Sequence, residues 1–243
     1  MTILSSMLGL LGAAIVSTAA TAAELNSVTL KDDVTIIALS GDVAGGDTEA
    51  AEALIKTAND SNRLISAVRL DSPGGSLSEA VQLANLIRRA KLPTIVAAGS
   101  RCASACFIVF AAGIEKFASY DAAIGVHGVS DKFGHETAQT EEATMAMARI
   151  ASGFGVPPRI TRQMVTTHAH DIAWLTPDDL RGMGTIMTDR PGRRTPPTSA
   201  DDRWVAGFDI PSDERTTRPQ QTDQRSTEGP GKPGRNSMPW QKR

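Results

Sequence analysis

A chain of 243 residues with 41% apolar and 21% charged side chains is neither a fibrous repeat nor a disordered polymer, and it has room for one domain with terminal extensions. Its net charge of −2 supplies no field that would gather a polyanion, which argues against a nucleic-acid partner. Aromatic residues make up only 4%, so Ala, Val, Ile and Leu must fill the core.

Met1 to Ala23 carries no charged side chain and ends in small residues before Glu24. This is the outline of an export signal, because the apolar stretch Met7 to Val16 is shorter than the roughly 20 residues of a helical membrane span. The expectation is a periplasmic domain with cleavage near Ala22 or Ala23. Since no Lys or Arg precedes the apolar run, the alternative is an uncleaved anchor holding the domain at the membrane, facing the periplasm.

The residues SVTL and VTIIAL around Lys31-Asp32-Asp33 predict a hairpin, and a helix follows from Thr48 through Ala58. Leu64 to Leu70 reads as a strand that stops at Asp71-Ser72-Pro73-Gly74-Gly75, and the next helix, capped by Ser76 or Ser78, runs to Arg88-Arg89. The order then repeats: a strand from Thr94 to Ala98, a turn at Gly99-Ser100-Arg101 and an apolar helix from Ala103 to Ala112. Phe117 to Tyr120 and Ala123 to His127 are two further β segments, and the second ends in a histidine. Such alternation predicts an α/β domain with a largely parallel sheet and functional groups beyond the carboxyl ends of its strands.

Helices are expected over Ala138 to Ser152, from Pro157-Pro158, and over Thr176 to Leu180. From Arg190 to Arg243 the composition turns to Pro, Arg, Thr, Ser, Gln, Gly and Asp, interrupted only by Trp204 to Phe208, and reads as a disordered tail. The domain is therefore residues 24–189, between a leader of 1–23 and a tail of 190–243. Cys102 and Cys106 are the only cysteines. Four residues apart on a helix they would share a face at about 6 Å, with side-chain directions that strain a bridge, so a disulfide and two buried thiols both stay open.

Acyl transfer needs a nucleophile, a base in hydrogen-bond reach, and N–H donors aimed at the developing oxyanion. Ser104 at a helix start, His127 at a strand end, and the amides of Ala105 and of Gly74 or Gly75 supply one of each kind. Ser104 alone would pass for a helix cap, His127 for a structural histidine and the Ser72 to Gly75 run for a tight turn; the combination is what points to chemistry. His168 and His170 share a face without an evident third ligand, so no metal and no cofactor is assigned.

Leu70-Asp71-Ser72-Pro73-Gly74-Gly75, Cys102-Ala103-Ser104-Ala105-Cys106 before an apolar helix ending Ala111-Ala112-Gly113, and Ile124-Gly125-Val126-His127 together resemble the Clp protease proteolytic subunit. The resemblance covers about Val34 to Met187. It implies the ClpP/crotonase-like spiral of ββα units, a Ser104–His127 pair completed by an acid, and an oxyanion hole from Gly75 or Gly74 with Ala105. The acid it implies is Asp171, one residue further from Thr176 than the family pattern has it. Relatives assemble into rings, so the resemblance also implies a homo-oligomer acting on peptides or unfolded protein.

An exported domain meets no ATP, so partnership with an ATP-driven unfoldase does not carry over. Signal peptide peptidase A is similar in fold and works outside the cytoplasm with a Ser-Lys pair, which makes Lys116 and Lys132 the alternative bases. The rival readings are a catalytically inactive binding or scaffold protein of the cell envelope and a crotonase-type acyl-CoA enzyme. The latter is disfavoured, since export removes the chain from CoA.

Overall fold

The structure, a computed structural model, describes residues 23–189. The expectations for a leader and for a tail, residues 1–22 and 190–243, lie outside the described residues. The hairpin is present as β1 (Glu24–Thr29) and β2 (Thr35–Ser40), joined through a 3-10 turn over Lys31–Asp33. β2 is buried from Thr35 to Leu39, because strands covered on both faces read as continuous apolar runs rather than as alternation. α1 (Asp47–Asp60) and β3 (Ile65–Asp71) follow. α2 (Leu77–Arg89) begins where the Ser76 hydroxyl accepts the Glu79 N–H, and ends in Arg88 and Arg89, which oppose the helix dipole.

From here the chain is dealt alternately into two sheets. After α2 come β4 (Thr94–Val96) and β5 (Arg101–Ala103); after α3 (Ala105–Ala112) come β6 (Lys116–Ser119) and β7 (Ala123–Val126). The remainder is α4 (Ala138–Gly153), α5 (Pro158–Thr166), β8 (Ala173–Trp174), α6 (Pro177–Gly182) and β9 (Thr185–Thr188). The larger sheet has the order β1-β2-β3-β4-β6-β9, parallel except for β1, and the smaller has the order β5-β7-β8. The mixed α/β domain expected from the sequence is thus present, and the pairs β4/β5 and β6/β7 each send one strand to either sheet.

α3 is buried at all eight positions, with Phe107 and Phe110 at its centre, so it shows no polar face and its sequence no helical period. Burial of each such side chain is worth roughly 1.5–3 kcal/mol. The helix anchors both sheets. It begins later than expected: residues 101–103, read from sequence as a turn and a helix start, form β5. Long-range pairing explains the difference, since Ser72 N–H donates to Arg101 O at 2.8 Å, Ala103 N–H donates to Ser72 O at 3.2 Å, and Cys102 pairs with Ile124 on the other side. The strands β8 and β9 are also absent from the sequence reading. Among the described residues, no helix is long and apolar enough to cross a membrane.

Two buried carboxylates lie at the starts of α1 and α2, and that of Glu79 ties one helix to the other. Asp47, 3% exposed, accepts the Ala44 N–H at 2.9 Å, and Glu79, 6% exposed, accepts the Thr48 N–H at 2.7 Å. Burial pushes the Asp47 carboxyl above its ordinary value; the Ala44 bond opposes this and the Glu79 charge adds to it. The folded state therefore binds the Asp47 proton more tightly than the unfolded chain does. Its stability contribution is complete at low pH and is lost as pH rises through the raised value. In urea titrations at acid and neutral pH, Asp47→Asn should gain stability relative to the parent as pH rises; a constant difference would mean that Asp47 does not titrate in this range.

Candidate functional site

Ser104 lies at the turn where β5 passes into α3, with φ 57° and ψ −127°. An L-residue adopts such a conformation at a cost of about 1–3 kcal/mol, and strained strand-to-helix turns are a recurrent seat of nucleophilic serines. Although Ser104 occupies the N-cap position of α3, its hydroxyl makes no capping hydrogen bond. The simplest structural role for a serine here is therefore not the one it plays. Its own N–H donates to Gly125 O at 3.2 Å, which lays the turn against β7 two residues before His127. The parallel register Cys102↔Ile124 and Ala103↔Gly125 carries the chain to the same end of the small sheet from which His127 emerges.

His127 is half-buried, and its Nδ1 lies 2.6 Å from the carbonyl oxygen of Gly128. A carbonyl only accepts, so Nδ1 carries the hydrogen and the neutral ring keeps Nε2 as its acceptor. That is the tautomer a general base needs. The segment beyond it is pinned by Gly128 N–H to Thr167 O at 2.9 Å and Val129 N–H to the Thr144 hydroxyl at 2.8 Å. Thr144 is one of the residues that sequence reasoning missed.

The glycine pair divides its duties. Gly74 spends its N–H on the Ser72 hydroxyl at 3.1 Å, whereas among the described residues neither the Gly75 N–H nor the Ala105 N–H is engaged. Both glycines have positive φ, 121° and 129°, and both are hemmed in. A Cβ on Gly74 would stand 2.6 Å from the Ser104 Cβ, and one on Gly75 would stand 2.3 Å from Val43 O. The loop is also fixed to β5 by the Asp71 carboxylate, which accepts the Arg101 N–H at 3.0 Å.

Asp171 stands apart from this group. Its carboxylate lies 3.4 Å from His170 Nε2 with its side chain 65% exposed, and among the described residues no hydrogen bond joins it to His127. The alternative bases are elsewhere too. Lys116 donates to Gly113 O beyond the far end of α3, roughly 12 Å along the helix from Ser104, and Lys132 lies over the exposed Phe133 ring. Burial, and then the Arg88 charge, hold Lys116 below the usual lysine value.

Two further contacts had no sequence signal. Ile172 and Trp174 cover Gly125, where an added Cβ would meet Ile172 Cγ2 at 2.4 Å and Trp174 Cε3 at 2.8 Å; this close approach is why the strand carries a glycine there. Glu136 grips the segment that precedes β8, taking His168 Nδ1 at 2.8 Å and the Ala169 N–H at 2.5 Å, while the His168 and His170 rings stack at 5.4 Å.

No protein-family model matches the chain, and a search of the curated proteins found no match. Among solved structures the chain is similar to a serine-to-alanine variant of 1510-N, a membrane-bound stomatin-specific protease, at 18% identity over 63% of this chain and 78% of that one, with a TM-score of 0.47. It is also similar to ClpP1 from Listeria monocytogenes, at 16% identity over 63% and 91% of the two chains, with a TM-score of 0.48. A lysine-to-alanine variant of 1510-N in complex with a substrate peptide gives 19% identity, 63% and 74% coverage, and a TM-score of 0.48.

Gly75→Ala adds a methyl group against backbone at a φ unsuited to alanine, so it should destabilise by about 1–3 kcal/mol and lower the melting temperature by roughly 2–12 °C. Calorimetry checks this, and a variant melting with the parent would mean that the loop relaxes freely.

The Glu136 contact gives a second expectation. The hydrogen bond to Glu136, and then its charge, raise His168 above the ordinary histidine value, with Asp171 adding to the effect; the same bond and the Ala169 N–H hold Glu136 low. Support from His168 is complete at pH below its unfolded value and is lost as pH rises through the raised one, while support from Glu136 is lost as pH falls through its lowered one. The His168 ring should titrate above the usual histidine range by NMR, and Glu136→Gln should lower that midpoint. Identical midpoints in parent and variant would refute the contact.

Proposed function

We propose that this chain is an exported serine peptidase that cleaves peptides or unfolded segments through an acyl-enzyme. Ser104 is the nucleophile in this reading and His127 its base. The Ser104 Oγ attacks the scissile carbonyl as its proton passes to His127 Nε2, and the amides of Gly75 and Ala105 receive the oxyanion. His127 then returns the proton to the leaving amine, and water attacks the ester by the same base. The third place is proposed for Asp171 on its position in the chain, although Gly128 O is the group on Nδ1 in this conformation. A homo-oligomer in the periplasm, tethered if the leader is retained, completes the reading.

The observation that supports the proposal is the Ser104 backbone: a serine held at φ 57° whose hydroxyl caps no helix, in a chain where, among the described residues, the Gly75 and Ala105 N–H groups are unengaged and His127 Nδ1 is taken by Gly128 O. A catalytically inactive scaffold is the second reading, and the observation favouring it is the pairing of Asp171 with His170 instead of His127.

A fluorophosphonate probe and fluorescent casein test both. The parent should label and cleave; Ser104→Ala should do neither, and His127→Ala should label roughly 10²–10⁴-fold more slowly. A folded parent that fails to label sinks the peptidase and leaves the scaffold. Asp171→Asn places the acid: a loss near 10⁴ makes it a triad member, whereas a change of under about threefold leaves the Gly128 carbonyl as the orienting group.

A further inference from the structure

Cys102 and Cys106 are joined in a disulfide, with their Cα atoms 5.2 Å apart, and Ser104 is the middle residue of the loop it closes. The geometric objection drawn from sequence does not apply, because only Cys106 is helical; Cys102 belongs to β5, and the chain turns between them. Both cysteines are wholly buried. In one common hydrolase turn the positions two before and two after the serine are glycines, which let strand and helix approach closely. Here those two positions are the cysteines, and a covalent bond enforces the approach.

Ser104 has an evident way to shed its strain. The Ala103-Ser104-Ala105 run can join the helix, as the sequence pattern itself favours, with Ser104 moving to a negative φ. A bridge between residues four apart in one helix is strained by its side-chain directions, so the cross-link disfavours that relaxation. Extension is closed as well, since four residues of open chain would separate the Cα atoms by about 13 Å against the observed 5.2 Å.

We infer that the Cys102–Cys106 bridge is a positioning element for the reaction, holding the Ser104 hydroxyl in its attacking conformation. The inference rests on the reading of Ser104 as nucleophile. Burial keeps small thiols from the bridge in the folded protein, so it is a permanent clamp set at folding.

The test uses the full chain and the fluorophosphonate probe, at a temperature where near-UV dichroism shows parent and variant both folded. Cys102→Ala/Cys106→Ala should label roughly tenfold to a hundredfold more slowly than the parent, the loss expected for a misplacement of about 1 Å. The pH midpoint of labelling, which reports the base, should not move. A double variant that labels within about threefold of the parent overturns the inference, because the bridge is then merely structural.

Should that variant fail to fold, the parent is unfolded with a dithiol, which gives two electrons to the bridge and leaves as its own cyclic disulfide, and refolded in its presence. The reduced, refolded chain should show the same slow labelling. If neither form folds, the bridge serves folding and the positioning role is refuted. A parent that does not label, or labels as Ser104→Ala does, removes the nucleophile itself and is thereby distinguished from failure of the clamp alone.

Discussion

The site depends on one residue being kept in a backbone conformation that its own side chain disfavours. Ser104 at φ 57° persists because several independent restraints agree on it. β5 is paired on one side with Ser72 and on the other with Ile124, the Ser104 N–H is taken by Gly125 O, and α3 is immobilised by burial on every face. The bridge closes the same turn. Strain of about 1–3 kcal/mol is small beside the burial of α3, where a single phenylalanine contributes as much. A strongly apolar helix is thus what allows a strained serine at its start.

The same packing explains the glycines. Gly74 is pressed against the Ser104 turn and Gly75 against the Val43 backbone, so neither position has room for a Cβ whatever its φ. Gly125 is covered by Trp174 of β8 and by Ile172 just before it. Gly74 and Gly75, which looked in sequence like turn punctuation, are therefore close-approach positions, and so is Gly125 within β7. The unengaged Gly75 amide follows from this arrangement: Val43 takes the flanking Gly74 carbonyl and Ser76 N–H, while the Gly75 N–H faces away from that bridge.

Much of this was legible in the chain. The repeated strand, glycine turn and helix, the Ser76 cap, and the segments ending at Gly75 and His127 are local patterns, and they place the large sheet and the site's residues within a few positions. What was not legible is non-local. β5 is three residues long and its Arg and Ala side chains favour a helix, so only its partners at Ser72 and Ile124, 30 and 22 residues away, make it a strand. The disulfide was undecided for the same reason, since its geometry hangs on where β5 ends. Glu136 and His168 are 32 residues apart with no pattern linking them, and β8 is too short for any periodicity.

The identity of the group on His127 Nδ1 is decided outside the sequence motif that supplies the histidine. A backbone carbonyl and a carboxylate both fix the tautomer, but in the proposed reaction only a carboxylate would offset the positive charge of a ring that has taken the serine proton. Asp171 lies on a short segment held at both ends. At one end Glu136 binds His168 and the Ala169 N–H; at the other Leu175 N–H donates to Ile124 O at 2.8 Å, and Trp174 is packed on Gly125. The β8 end belongs to the small sheet and cannot shift without disturbing the strand beneath Ser104. The Glu136 end is exposed and held by polar contacts, one of them to a titrating histidine, and solvent screening makes such contacts weak. If the carboxylate is to approach the ring, the change has to come at Glu136. Charge compensation at the base is in that case controlled by a surface contact that takes no part in the chemistry.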